Sequence, residues 1–137
     1  GSATVSLPAG EYSVIYDGSS GNARFDLAAE AEVEMDLDMS SGSVQVNVGQ
    51  ATDLDLRLNN ASSGNLIVRA PRDAGLRVEV RDHSSGRVAT PSGLLKIQAG
   101  SDPSEGVYES VNYADAAHRV TILVDDMSSG NVTIDQR

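Results

Sequence analysis

Serine, histidine and aspartate all occur in this 137-residue chain, so nucleophilic hydrolysis is the first chemistry to weigh. His83 stands directly before Ser84-Ser85-Gly86, and His118 lies near Asp115 and Arg119. A catalytic serine needs its own turn and a base beside it. Here the tripeptide Ser-Ser-Gly occurs five times, four of them without a preceding histidine. No G-x-S-x-G elbow, H-E-x-x-H pair or phosphate-binding loop accompanies either histidine. A serine repeated five times reads as a structural residue, both histidines read as surface or turn residues, and no enzyme is expected. With no cysteine, thiolate nucleophiles, thiolate metal sites and disulfides are ruled out.

Hard-cation binding is the second chemistry. Asp36, Asp38, Asp53, Asp55, Asp125 and Asp126 could supply oxygen ligands for calcium, and strand alternation sets Glu34, Asp36 and Asp38 on one face. The chain lacks a D-x-[DN]-x-[DN]-G loop and the glycine-rich nonapeptide of calcium-binding solenoids. Arg57, Arg77 and Arg81 fall on neighbouring strands and can balance the acids. The expectation is a solvated acidic face, with no metal and no cofactor.

The elements that position these residues are written as a repeat. Ser-Ser-Gly begins at positions 19, 40, 62, 84 and 128, in steps of 21, 22, 22 and 44, the last twice the period. The missing copy is expected near position 106, where Ser104-Glu105-Gly106 reads as a degenerate version. Apolar residues alternate after the turns (Ala23, Phe25, Leu27; Val44, Val46, Val48; Leu66, Val68, Ala70; Val132, Ile134) and before them (Leu54, Leu56, Leu58; Leu76, Val78, Val80; Val120, Ile122, Val124). Period 2 is the mark of a strand. The clearest strand runs from Ala29 to Met39, greasy on one face and acidic on the other, and the 21-residue step implies a turn shorter by one residue. The fold class is therefore all-β: a stack of about six two-stranded units of 22 residues, either solenoid-like or folded as an antiparallel sandwich.

Residues 1–137 read as one domain, with an irregular insertion at 90–118. The insertion carries Tyr108 and Tyr113 and leads into Arg119, and non-repetitive segments are where repeat proteins place function. Tyr108, Tyr113 and Arg119 are the candidate binding residues; alternatively Tyr113 plugs a gap and Arg119 pairs with a carboxylate. Ten basic against twenty acidic side chains give a net charge of −10 and a pI near 4.4, which argues against nucleic acid and anionic membranes as partners. No apolar run reaches membrane-spanning length, so any anchor is expected outside this segment. Gly1-Ser2 has the look of a cloning remnant, which implies an excised domain.

The order of these features resembles a known family. Ser-Ser-Gly turns precede Val-x-Val, followed by Ala70-Pro71 and Leu76-Arg-Val-Glu-Val80. After a glycine-rich bend come Tyr108, Ser110, Tyr113, Ala116, Arg119, Val120, Ile122 and a last Gly130-Asn-Val-Thr-Ile134. Together they resemble the toast-rack and LiaF-like C-terminal domains, bacterial β stacks akin to adhesin domains. The resemblance implies a cell-envelope domain outside the cytoplasm and supplies no catalytic residue. The leading expectation is a rigid scaffold that binds a protein or glycan partner. The alternatives are a self-assembling module joined through its sheet ends and a regulatory domain of an envelope-stress system.

Overall fold

The computed structural model describes residues 2–18, 21–81, 86–91, 94–99 and 106–136. His83, the serines of the first and fourth Ser-Ser-Gly copies, and Ser104-Glu105 lie outside the described residues.

The described chain is all-β, with two sheets packed face to face. Successive strands alternate between them. The six-stranded sheet takes β1 (Ser2–Leu7), β3 (Asn22–Leu27), β5 (Ser43–Val48), β7 (Asn65–Ala70), β9 (Arg87–Ala89) and β13 (Asn131–Gln136). The seven-stranded sheet takes β2 (Gly10–Gly18), β4 (Ala31–Met39), β6 (Asp53–Ala61), β8 (Gly75–Val80), β10 (Leu95–Ala99), β11 (Gly106–Glu109) and β12 (Arg119–Val124). The first sheet is parallel throughout. In the second, β2, β4, β6, β12 and β8 are parallel, while β11 and β10 are antiparallel. This is a coil of strand, turn, strand and turn, the solenoid-like reading of the expected fold class.

The order of rungs in space departs from their order in sequence. The seven-stranded sheet runs β10-β11-β8-β12-β6-β4-β2, and the six-stranded sheet β1-β3-β5-β7-β13-β9. The last rung, β12 with β13, thus sits between β6/β7 and β8/β9. Val120 pairs with Leu54 on one side and Leu76 on the other, offsets of three and two periods. The place kept open therefore lies across the ordinary 22-residue step from Ser62 to Ser84, and the 44-residue step is no lost copy near 106 but the excursion through β10, β11 and the irregular segment from which the chain returns to fill that place. Gly106 instead opens β11, which runs antiparallel to β8 and, paired with β10, extends this end of the seven-stranded sheet as a hairpin.

Two further expectations are corrected. The strand drawn from Ala29 begins at Ala31, because Ala29 and Glu30 form the turn, with Glu30 at φ 65°. The residue that separates a 21-step from a 22-step lies within a strand. Leu37 pairs with Leu58 and Asp38 with Asn60, so Asn59 is a bulge that lets Ala61 point inward again.

Inward side chains stack in columns, one per register position. Met35, Leu56, Ile122 and Val78 form one, and Leu37, Leu58, Val124 and Val80 another; all are buried. Facing them are Val44, Leu66 and Val132 with Val46, Val68 and Ile134. Burying each such side chain contributes about 1.5–3 kcal/mol, and only a stacked neighbour on both sides completes that burial.

The glycines of the turns form a column too. A Cβ on Gly42 would meet the Gly21 carbonyl oxygen at 1.9 Å, one on Gly130 the Gly64 oxygen at 2.1 Å, and one on Gly86 the Gly130 oxygen at 1.8 Å. Gly21 and Gly42 also have positive φ (96° and 91°), whereas Gly130 needs to be glycine for the contact alone.

Candidate functional site

The irregular segment is braced by its own residues. Arg119, at the start of β12, donates from Nε to the Tyr113 carbonyl at 2.9 Å and from Nη2 to the Ala114 carbonyl at 2.9 Å. Its guanidinium lies 5.3 Å from the centre of the Tyr113 ring. Its backbone N–H donates to Asp53 Oδ1 at 2.8 Å. Arg119 and Tyr113 are thus brought together, and the arginine closes the turn of residues 110–118 instead of pairing through its side chain with a carboxylate. Ser110 ties the segment to the stack, its Oγ accepting from the Leu76 N–H at 2.9 Å. Asn112 donates to the Asp73 carbonyl at 3.2 Å. Tyr108, on β11, packs half-buried against the core, with the Lys96 ammonium 5.6 Å from its ring centre. Val111, 79% exposed, is the large apolar side chain this segment offers to solvent.

His118 stands beside Asp53, Nδ1 to Oδ1 at 3.4 Å, at a junction where a small cavity of about 70 Å³ is lined by Thr52, Pro71, Asp73 and Ala117. Asp53 Oδ1 is already held by the Arg119 amide, so this pair closes the seam between the irregular segment and β6. Thr52, fully buried, donates to the Ala28 carbonyl at 2.8 Å and links adjacent turns.

The outer face of the seven-stranded sheet divides into two halves of different electrostatics. Over β12, β8 and β11 the acids are matched: Arg57 reaches Asp125 at 2.8 Å, Arg77 reaches Glu109 at 2.8 Å, and Arg81 reaches Glu79 at 2.6 Å. Over β2, β4 and β6 they are not, save for Asp53 at the seam, which holds the Arg119 amide and stands beside His118. Glu11, Glu32 and Asp53 stand in register across the three strands, Glu34 beside Asp55, and Asp17 beside Asp38. With Asp36 that makes eight carboxylates, and the single cation on these strands, Arg57, is turned to Asp125. An open trough of about 530 Å³ runs over this half, lined by Glu11, Tyr12, Ser13, Glu32, Glu34, Asp53 and Asp55. Among the described residues no three carboxylate or imidazole groups converge as a metal site would require. The acids lie as a plane, spaced by the strands, rather than as a cage.

On the six-stranded sheet the charges are interspersed and hydrogen-bonded. Asp26 accepts from Asn47 at 2.7 Å and from Arg24 at 3.1 Å, and these bonds, Asn47's above all, hold its carboxyl below the ordinary value.

Of the candidate binding residues, Tyr113 and Arg119 form a bracing motif and Tyr108 packs on the core, while the unbalanced acidic half of the face is a unit that the sequence pattern alone does not single out. Its signal was the in-phase acid rows of β2, β4 and β6, visible once the 21-residue register is applied.

No protein-family model matches the sequence, and no curated protein matches it. In fold, the chain is similar to a crystal structure of a "putative cell adhesion protein" from Clostridium sporogenes, with a TM-score of 0.57 and 10% identity over 99% of this chain and 92% of that one. No helix is long and apolar enough to cross a membrane among the described residues. At this identity the likeness establishes one thing, that the two chains share the same β-stack fold.

Proposed function

We propose that this chain is a non-enzymatic, adhesin-like display domain of the bacterial cell envelope, exposed outside the cytoplasm. It would hold its acidic half-face rigidly against a cationic partner, a basic protein surface or an amine-bearing glycan. The observation that carries this reading is the in-register like-charge ladder on β2, β4 and β6. Like charges directly opposite on neighbouring strands oppose folding, and the same sheet balances its acids a few strands away. A local rule broken where the means to keep it are at hand is the usual mark of a surface serving a partner. Three supports stand beside it: the fold likeness to the structure described as a "putative cell adhesion protein", the residue order resembling the envelope-associated toast-rack and LiaF-like domains, and an irregular segment spent on bracing.

The test is capture on an array of cationic and neutral proteins and glycans at physiological salt, comparing the native chain with E32Q/E34Q/D55N. Selective retention on cationic spots, reduced about tenfold in the variant, is expected. Equal retention of the two chains, or none by the native chain, refutes the assignment of this face.

A further inference from the structure

The two ends of the stack are finished differently. At one end the seven-stranded sheet finishes in the antiparallel hairpin β10–β11, whose edge strand β10 has five residues and an irregular register against β11, and β9 at the edge of the other sheet has only three. At the opposite end β2 is a full nine-residue strand, paired in complete register with β4 on one side and with no described strand on the other; β1 is placed likewise against β3. The inward residues of β2, namely Tyr12, Val14 and Tyr16, are only half-buried, so the core columns end here open. Ile15, on the outer face, is 79% exposed.

The sequence of β2 is a near-palindrome: Gly10-Glu11-Tyr12-Ser13-Val14-Ile15-Tyr16-Asp17-Gly18 reads glycine, acid, tyrosine and a middle triad from either end. The Gly18 carbonyl accepts from Ser40 N–H, so Gly18 and, by strand alternation, the even-numbered residues direct their backbone groups toward β4. The free edge therefore carries the N–H and C=O groups of Glu11, Ser13, Ile15 and Asp17. In an antiparallel pairing centred on Val14, Ser13 meets Ile15 of a second copy and Glu11 meets its Asp17, so every outward group finds its complement. The inward sides then place tyrosine opposite tyrosine and Val14 opposite Val14, continuing the core columns. On the outer side the two Ile15 side chains flank the axis. In β1 the Leu7 carbonyl accepts from Ala28 N–H, so the odd-numbered residues face β3 and the free edge carries the backbone groups of Thr4 and Ser6; this edge approaches its own copy about the same axis.

From these observations we infer that the chain forms a two-fold homodimer through the free edges of β2 and β1, the two stacks joined end to end with β2 antiparallel to its copy about Val14. The edge is about 30 Å long and spans two sheets about 10 Å apart. With the side chains on both outer faces the end measures about 30 Å by 20 Å, roughly 600 Å² per partner, near the lower bound for a specific interface and in keeping with a weak dimer. The opposed Glu11 and Asp17 set the limit, so acid or added salt tightens the dimer. The dimer also joins the acidic half-faces into one plane.

Sedimentation over the micromolar to millimolar range, with cysteine cross-linking, tests this. Ser13→Pro removes only an outward N–H, which an edge strand tolerates, and is expected to weaken the dimer about tenfold with an unchanged melting temperature. Val14→Cys, in a chain with no other cysteine, is expected to form an oxidised dimer, since residues at the axis stand within disulfide reach. Glu11→Cys is expected not to, its copy lying about 20 Å away along the strand. A monomer at all concentrations, a dimer indifferent to Ser13→Pro, cross-linking of Glu11→Cys as readily as Val14→Cys, or open-ended growth would each overturn the inference. None of these outcomes depends on whether the acidic face captures a partner.

Discussion

Replacing Gly130 by alanine tests the order of rungs directly. Its Cβ would stand 2.1 Å from the Gly64 carbonyl oxygen, a backbone atom that also accepts the Asn131 N–H at 3.2 Å. The column can yield only by moving β13 away from β7, since the obstacle is main chain. Overpacking of this kind costs about 1–3 kcal/mol, and a strained or lost hydrogen bond about 1 kcal/mol more, so a loss of about 3 kcal/mol is expected. At about 3–4 °C per kcal/mol for a domain of this size, the melting temperature should fall by about 10 °C. Gly64→Ala is the control: its Cβ meets the Met39 methyl at 2.7 Å, the mobile end of a flexible side chain, so a loss of about 1 kcal/mol is expected. Chemical denaturation with unchanged slope measures both. Equal losses, or a Gly130→Ala penalty below about 1 kcal/mol, would mean that Gly130 does not stack on Gly64 and that the last rung lies elsewhere.

Arg119→Ala removes two hydrogen bonds and a ring contact from the irregular segment; a loss of about 1–2 kcal/mol is expected, seen as faster amide exchange across 110–118 with the rest of the stack protected. Asn47→Ala should raise the Asp26 carboxyl toward its ordinary value, followed by NMR titration. Because the folded carboxyl is held low, Asp26 contributes stability above its unfolded value near 3.8 and loses it as pH falls through the lower folded value, and the variant should lack that acid-side increment. Raising salt from low ionic strength to the physiological level should stabilise the chain by about 1 kcal/mol through screening of the β2, β4 and β6 carboxylates, and calorimetry of E32Q/E34Q/D55N should show a smaller gain. Ending the chain before Arg119 should abolish cooperative unfolding altogether, since it empties the middle of both sheets; a shortened but cooperative domain by calorimetry would contradict the topology.

Periodicity made the strands, their inward residues and the Ser-Ser-Gly turns legible, and the columns through Met35, Leu56 and Val78 follow from it. The neighbours of each rung were not legible, for a physical reason: identical units specify register only modulo the period. Val120 fits Leu54 at three periods and Leu76 at two as well as it would fit any other rung. The 44-residue step was visible, but it marks the excursion through the hairpin and the irregular segment, whereas the place held open lies across an ordinary 22-residue step and leaves no trace in the spacing. The one-residue difference was likewise visible, while its position in β6 depended on Ala61 returning to the core beyond the bulge. At the site, Tyr113 and Arg119 stood out by residue type, yet their partners are main-chain carbonyls, which no side-chain pattern announces. The acidic half-face was half-legible: the acids could be counted, but Arg57 turning to Asp125 rather than to Asp36 was decided by packing on the inserted rung.

The inserted rung changes how such a stack holds together. In an ordinary solenoid each unit touches only its sequence neighbours, stability adds along a line, and the ends fray independently. Here the C-terminal strand lies inside the six-stranded sheet, and Gln136 donates to the Pro71 and Ala74 carbonyls at 3.3 and 3.2 Å, tying the end of the described chain to the turn between β7 and β8. β8 and β9 have no place on β6 and β7 until β12 and β13 stand between them, and the hairpin that extends the seven-stranded sheet hangs from β8 in turn. The last residues in sequence therefore complete the middle of the core, and the end of the stack is finished from the middle of the sequence. Opening from the C-terminus must break pairing on both sides of a buried rung at once, so the nearest-neighbour stack behaves as one cooperative unit. A face held on such a body keeps its geometry, which is what the proposed display role requires of its scaffold.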